Sequence, residues 1–580
     1  MCGIAGIIGD YKELQLNAML TSQQHRGPDA TGTYFDKKLA ALGHNRLAII
    51  DLSSKSNQPF IDNSGRYVIV FNGEIYNYIE LKTELQNRYD FKTESDTEVL
   101  LAAFMVYGEG CLEKLNGMFS FSIWDQQEKK LFAARDRFGV KPFYYSIKNN
   151  SFYFSSEIKA LQAAGFPKEA NEKVWANYFA YGSYGMPDET FWDGIAQLPG
   201  GHFLEYENQN LILKKWYFFE DEVAKQSKDL TFLQAKEHYA ELLKDSIKLR
   251  FRADVPVGFN ISGGLDSSVL LALVNLREDN SKINAYTFYT NNPDYDELAW
   301  VEQMIAKTHN PLTKVLLQAE EVPDLAKKMA WQQDEPYAGI PTLAYAKIFD
   351  QARKDGVMVL LDGQGMDEQW AGYDYYTLKN EATIQGVQGS PYKTNLLSAT
   401  FLEKAEKPIY PKPFDDEILN KQYRDLFYTK IPRALRFNDR ISMAFSTELR
   451  EPFLDYRLVE FAFSLPLDFK IRNGETKYML REIASQYLVA DLVFTPKRPL
   501  QTPQREWLAD ELKEWVRQCF EVIEKSSYSN WFDKKALEKE LQLYLKGNIQ
   551  SSFHIWQYIG FCEMIKLLNC FPGNLCCDSN

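Results

Sequence analysis

The chain of 580 residues is 45% hydrophobic and 25% charged, a globular composition with ample material for a core. Its formal net charge of −13 argues against nonspecific binding to nucleic acid or to an anionic membrane surface. Cysteines stand at 2, 111, 519, 562, 570, 576 and 577 without a C-x-x-C pair, which argues against a zinc ribbon or disulfide framework and fits a reducing cytoplasm. No apolar run reaches the ~18 residues of a membrane span. The N-terminus lacks the basic and apolar regions of a secretory signal. The expected partners are therefore small molecules, and the expected location is cytoplasmic.

The chain opens MCGIAGIIGD, with Cys2 directly behind Met1. Two descriptions of Cys2 stand. It is a small buried hydrophobe, or, with Met1 removed, it carries a thiol and a free α-amine on one residue. Such an amine, of reference pKa roughly 7.7–8.0, suits a base near neutrality. Strand-like segments follow, among them GRYVIVFNGEIYN, GMFSFSIWD, KKLFAARD, KPFYYS and SFYFSSE, with aromatic and β-branched residues in alternation. Helical patterns at IELKTELQNRY and TEVLLAAFMVYG interrupt them, so a layered α+β domain is expected. A polar stretch at about 200–230 reads as last strands and a linker. Beyond it strands and helices alternate: VPVGFNIS, SSVLLALVNLRED, INAYTFYT, DELAWVEQMIAKTH, TKVLLQ and GVMVLLDG, the pattern of a parallel sheet. From about 410 the chain reads as mostly helical.

The strongest local signal is VPVGFNISGGLDSS, 255–268, a strand running into a Ser/Gly loop that opens a helix. Gly263 and Gly264 let the backbone approach a phosphate, helix N–H groups cradle it, and Ser262, Ser267 and Ser268 add hydroxyls. Asp266 would repel phosphate unless it holds Mg²⁺ there. The bland alternative is a capped strand–helix turn. A second loop, DGQGMDEQWAGY at 362–373, follows another strand and offers Asp367 and Glu368 as oxygen ligands; an exposed acidic loop is its alternative. In TPKRPLQTPQREW, 495–507, Lys497 suits a polyphosphate or a leaving group, or is simply solvated.

SGGLDSS, DGQGMDE and the downstream PK…P resemble the ATP pyrophosphatase domain of glutamine-dependent asparagine synthetases, as do NDRISMAFSTELREPFLDYRLVEFAFSLP at 438–466 and KYMLRE at 477–482. The first half resembles a class II glutamine amidotransferase, a hydrolase with an N-terminal nucleophile, through CGIAGI, HRGPD, HNRLAIID, FNGEIYN, SDTE and RDRFGVKP. The resemblance, over roughly residues 2–510, implies a four-layer α+β glutaminase domain at 2–210 and an α/β parallel-sheet ATP pyrophosphatase domain at 230–520 with a helical C-terminal part; the residues at 521–580, among them SNWFDKKALEKELQLYLKG and WQYIGFCEMIKLL, read as a helical extension packing on the synthetase domain. It implies Cys2 as nucleophile, Arg46 on the glutamine carboxylate, Asp96 and Glu74 on its ammonium, and Asn72 with the Gly73 N–H at the oxyanion. Asn72-Gly73 as a hairpin turn, and Arg46 with Asp96 as a structural ion pair, are the alternatives. ATP binding is implied for Ser262, Gly263, Gly264, Asp266, Ser267, Ser268, Tyr289, Asp362 and Gly363. An adenylate-forming loop is implied at Gln364, Asp367 and Glu368, with Mg²⁺ on Asp266 and Asp367 and charge stabilisation by Lys497. The implied reaction converts ATP, aspartate and glutamine to asparagine, glutamate, AMP and pyrophosphate, with ammonia crossing through an enclosed passage, in a possible homodimer.

This chain departs from the family where Gln364 replaces the glutamate of SGEGSDE, and at Thr495, Pro499 and Leu500 around the lysine. A glutamine cannot accept a proton as a carboxylate does. The same architecture acting on another carboxylate, from a sugar, peptide or natural product, is thus the rival. A β-lactam-forming synthetase is disfavoured by the retained Cys2, a sugar-isomerising amidotransferase by SGGLDSS, and a silent glutamine-sensing module by Cys2, Asp266, Asp367 and Lys497 together.

Overall fold

The computed structural model describes residues 1–569 except 38, 227–228, 277–282, 377–382, 385–386, 389, 489–492, 494–501 and 548–550. Alternation in the first half resolves into two six-stranded sheets. Their strands are β1 (Gly3–Ile8), β2 (Ala30–Asp36), β3 (Ala40–Arg46), β4 (Phe60–Ile61), β5 (Tyr67–Ile75) and β6 (Gly117–Asp125), then β7 (Lys130–Arg135), β8 (Tyr144–Lys148), β9 (Ser151–Ser155), β10 (Ala196–Gln197), β11 (His202–Glu207) and β12 (Asn210–Lys215). The orders are β10-β8-β9-β1-β3-β2 and β12-β11-β7-β6-β5-β4. Neighbours run antiparallel. Along β5, Val68 and Val70 enter the apolar layer between the sheets, where Ile4, Leu42, Phe143 and Phe154 meet them. Ile69 and Phe71 face the other way, into a layer shared with Leu100 and Leu101 of the helix Asp96–Tyr107. The period of two thus builds both faces of the strand. The helix Glu13–Ser22 covers β1 and β3, completing the expected four layers.

The second half holds a parallel sheet of β13 (Val257–Asn260), β14 (Ala285–Tyr289), β15 (Leu312–Leu316), β16 (Val359–Leu361) and β17 (Glu448–Arg450). The order is β15-β14-β13-β16-β17. The order reverses at β13, so the crevice between the carboxyl ends of β13 and β16 is the ligand site that open α/β sheets favour. Both motif loops leave those two ends. Strand β17 lies in a stretch that reads as helical from sequence; three residues are too few for a period to show.

Among the described residues no helix is long and apolar enough to cross a membrane. The extension does not pack on the synthetase domain alone, as expected from sequence. The helix Phe553–Asn569 also reaches the first half: Phe561 meets the Trp175 ring edge-on at 4.8 Å. One apolar cluster runs from Leu16 and Phe179 through Phe349 to Trp531 and Phe561.

Candidate active site

Cys2 stands at the start of β1, and its backbone N–H donates to Asn72 Oδ1 at 3.0 Å. Arg26 Nε donates to the Cys2 carbonyl at 3.0 Å, and the thiol lies 3.9 Å from the Leu47 carbonyl. Burial pushes the thiol pKa up, against the opposing pull of the N-terminal ammonium and Arg46. The thiol is therefore neutral and needs a base to become a nucleophile. Asn72 Nδ2 is buried with no hydrogen-bond partner, an outlay that a native fold rarely tolerates without use.

Asn72-Gly73 is not a hairpin turn. It lies inside β5, opposite Ser120 and Phe119 of β6. A Cβ at Gly73 would stand 2.1 Å from the Met118 carbonyl oxygen, at a backbone φ of +155°. Only glycine permits this approach, which sets the local path of the chain beside Cys2.

Arg46 and Asp96 do not pair. Arg46 Nη1 donates to the Ser53 carbonyl at 2.7 Å and Asn57 Oδ1 at 2.8 Å, and Nη2 donates to the Ile50 and Asp51 carbonyls. The fork expected to meet a carboxylate thus organises the loop after β3, leaving Nε as its uncommitted donor. Asp96 Oδ2 accepts from the Ile75 N–H at 3.0 Å, and burial lifts its pKa to about 6. Glu74 is lifted too, by burial and then by Glu448 and Asp96, while Arg450 stands 3.6 Å away. The Met1 ammonium donates to Glu448 Oε2 at 2.8 Å with both groups fully buried. Burial favours the protonated Glu448, but the ammonium and Arg450 prevail and bring its pKa to about 2.

At the second centre, the loop after β13 caps the helix Leu265–Val274. Ser267 and Ser268 turn their hydroxyls onto loop carbonyls, at 2.8 Å to Ser262 and 2.7 Å to Gly264, while the Gly263 N–H donates to Glu297 at 3.0 Å. Asp266 and Asp367, 101 positions apart in the chain, converge on one cation: Lys477 Nζ lies 2.5 and 2.7 Å from them. The ammonium is held above its ordinary pKa because these carboxylates outweigh the burial that opposes its charge. The clamp is tight enough that a Cβ at Gly372 would stand 2.0 Å from Asp367 Oδ1 and 2.3 Å from Lys477 Cε. Burial lifts Asp362 to about 6, with the Asp266 charge adding. Glu368 rises to about 7 by burial and the Asp367 charge, and accepts from the Tyr373 hydroxyl at 2.9 Å. Gly363 and Gln364 are half-buried in the loop, and Tyr289 ends β14 at the same edge of the sheet. Lys497, with Thr495, Pro499 and Leu500, lies outside the described residues.

Between the centres runs a buried charged seam. Arg26 joins Glu157 at 2.9 Å and takes both oxygens of Asp439, at 2.9 and 3.2 Å. Lys141 lies 3.8 Å from the same carboxylate, and Arg440 joins Glu157 at 3.1 Å. Sequence reasoning missed Arg26, Asp439, Glu448 and Lys477 as site residues. The first three lie in stretches quoted only for their resemblance, and Lys477 opens KYMLRE with nothing local to separate it from a solvated lysine.

Residues 1–217 match the family model described as a glutamine amidotransferase domain, and residues 238–567 match the one described as asparagine synthase. The chain is 29% identical to asparagine synthetase (glutamine-hydrolyzing) 1 of Bacillus subtilis, over 97% of this chain and 96% of that one. It is 30% identical to a putative asparagine synthetase (glutamine-hydrolyzing) of Mycobacterium tuberculosis strain H37Rv, over 93% and 91%. It is 26% identical to the amidase chry2 of Gibberella zeae, over 91% and 92%.

Proposed function

Because the chain belongs to the asparagine synthase family, a family of glutamine-dependent amidating ligases, we propose that it amidates the side-chain carboxylate of aspartate to asparagine. The observation that carries this reading is the pairing of Cys2, held by Asn72 Oδ1 beside the unpartnered Asn72 Nδ2, with the Asp266–Lys477–Asp367 cluster at the switch of the parallel sheet.

With Met1 removed, the Cys2 α-amine takes the place of the N–H now held by Asn72 and receives the thiol proton. The thiolate attacks the glutamine side-chain amide. Asn72 Nδ2 and the Gly73 N–H stabilise the oxyanion. Collapse releases ammonia and leaves a thioester that water hydrolyses to glutamate. Asp96 and Glu74 receive the substrate ammonium, and Arg46 meets its carboxylate through Nε rather than through a fork.

In the second centre the aspartate carboxylate attacks the α-phosphorus of ATP and displaces pyrophosphate, giving an acyl-adenylate. Ammonia attacks the acyl carbon and AMP leaves. Two carboxylates drawn onto one cation form a hard-oxygen donor set that suits Mg²⁺. Asp266 and Asp367 would hold it, and when bound it neutralises phosphate charge. Lys477 fixes both carboxylates, and Lys497 adds a further positive charge. Free ammonia would protonate in water, so an enclosed route between the centres is part of this reading.

Gln364 and the likeness to an amidase favour one second reading, the same chemistry on a different carboxylate. Incubation with glutamine, ATP, Mg²⁺ and aspartate, quantifying asparagine, AMP and pyrophosphate, separates the two. Asparagine and AMP that appear together, and only with aspartate, support the first. Glutamate release without aspartate-dependent pyrophosphate supports the second.

A further inference from the structure

A cleft of about 250 Å³ opens between the two halves of the chain, away from both centres. The first half supplies Arg135, Arg137, His202 and Lys215, and the second supplies Arg433 and Arg436. No aspartate or glutamate lines it. Two of these six have a carboxylate partner among the described residues: Arg436 meets Glu335 at 2.9 Å and Lys215 meets Glu220 at 3.3 Å. Arg135 donates to backbone carbonyls and to Gln197, and Arg137 Nη1 and Nη2 donate to backbone carbonyls while its Nε is buried without a partner; the carboxylates that act on them, Asp136 and Asp439 on Arg135 and Glu460 on Arg137, lie outside the lining. Arg433 is half-buried, with its guanidinium 5.9 Å from the Tyr184 ring and its charge acting also on Tyr392 and Tyr410.

The apolar part of the lining is aromatic. Tyr184, Tyr217, Tyr423 and Tyr428 lie in it; the Tyr217 hydroxyl donates to Glu460 at 2.8 Å, and Tyr423 and Tyr428 hydrogen-bond each other, so the rings are what they offer a ligand. Phe427, Tyr428 and Thr429 come from a π-helical turn, Asp425–Thr429, an irregularity that recurs at functional sites. None of the lining belongs to the loops at 262–268 or 362–373, or to the surroundings of Cys2.

We infer that this cleft binds a nucleoside monophosphate, with the phosphate at Arg433 and Arg436 and the base against the tyrosine rings. Five cationic side chains (Arg135, Arg137, Lys215, Arg433 and Arg436), with no carboxylate in the lining itself, suit a dianion better than a single carboxylate, and guanidinium geometry matches phosphate oxygens; His202, its pKa lowered by burial, adds an imidazole and no charge. Aromatic side chains suit a planar base. The volume lies below the roughly 300–1,000 Å³ of ordinary ligand pockets, which favours one phosphate over a longer chain. The site is separate from the ATP centre and stands whether or not the amidation reading holds.

The test is equilibrium dialysis of the full chain against radiolabelled GMP and UMP, with saturating ATP and Mg²⁺ present. One saturable site per chain is expected for at least one nucleotide, unaffected by ATP, with inorganic phosphate a poorer competitor. Arg433→Glu should weaken binding about tenfold or more, the loss of a charge-assisted contact. Arg433→Lys should retain part of the affinity, and a melting curve of each variant verifies the fold. The inference is overturned by no saturable binding of either nucleotide, by binding that ATP abolishes, by an unchanged affinity in Arg433→Glu, or by 4-hydroxybenzoate binding where the nucleotides do not.

Discussion

Asp439→Asn tests whether the seam governs the glutaminase centre. Asp439 is nearly fully buried, and Arg26 takes both its oxygens, at 2.9 and 3.2 Å. Burial alone would protonate it, but Arg26 and Lys141 keep it ionised, below the usual carboxylate range. Asparagine keeps the shape and removes the charge and one acceptor. Arg26, Lys159 and Arg440 then keep Glu157 and Asp334 as carboxylate partners, while Lys141 loses its Asp439 pair and keeps only the more distant charges of Glu448 and Glu451. Breaking a buried pair costs about 3–5 kcal/mol, and the isostere, which keeps one acceptor, belongs at the lower end. That is a large part of a typical stability of about 5–15 kcal/mol, and denaturant unfolding will read it.

The functional consequence follows from Arg26 Nε, which holds the Cys2 carbonyl at 3.0 Å. With its second anchor weakened, Arg26 no longer fixes the nucleophile. A displacement of about 1 Å costs up to about a hundredfold in rate. Glutamine-dependent product formation should therefore fall about ten- to a hundredfold, while synthesis fed with ammonium chloride changes little. The assay compares both nitrogen sources on one preparation. Equal loss with both sources in a variant that remains folded, or an unchanged glutamine rate, refutes the coupling.

Gly73→Ala places a methyl 2.1 Å from the Met118 carbonyl, so glutaminase activity should disappear while ammonium-fed synthesis survives, read by glutamate release against product formation. Lys477→Met removes the cation shared by Asp266 and Asp367; ATP-dependent pyrophosphate release should be lost with glutaminase activity intact, and loss of both activities would contradict a role confined to the second centre. Lys470 is fully buried, and burial lowers its pKa to about 7. The unfolded chain holds that proton up to about pH 10.4, so wild-type stability from this group rises by about 1.4 kcal/mol per pH unit from about 7 to 10.4. Lys470→Met should accordingly raise the melting temperature most at pH 6 and least at pH 10; a gain that does not shrink with pH would show that the lysine is paired.

What was legible in the sequence is what repeats or clusters locally. Alternation through GRYVIVFNGEIYN foretold a strand, though not that both its faces are buried, and SGGLDSS behind VPVGFNIS foretold a loop at the carboxyl end of a parallel strand. Partnerships across the fold were not legible. Arg26 and Asp439 are 413 positions apart, and neither stretch carries a period or spacing that points to the other. Arg46 shows a subtler limit: its residue type suggests an anion fork, but the carbonyls that take the fork are visible only once the loop after β3 is folded. Lys477 is recognisable as functional only because two distant loops deliver carboxylates to it.

The element least visible in the sequence is the one that joins the two centres. Strand β17 has three residues, Glu448–Arg450. At its start, Glu448 accepts from Arg450 Nε at 2.6 Å and, until Met1 is removed, from the Met1 ammonium. At its end, Arg450 reaches toward Glu74 of the glutaminase centre at 3.6 Å, while its carbonyl accepts from the Asp362 N–H at 3.0 Å. Asp362 begins the second motif loop. A strand rises about 3.3 Å per residue, so the neighbourhood of Cys2 and the backbone of the ATP loop are tied to one segment about 7 Å long. Its flanks are fixed as well, since Arg450 Nη1 donates to the carbonyls of Arg250 and Arg252 at 2.7 and 2.8 Å. Glu448 and the carbonyl that holds the Asp362 N–H are thus two residues apart on one strand. On the proposed reading, β17 is the strand that both Glu74, through the Arg450 side chain, and Asp362, through the Arg450 carbonyl, contact.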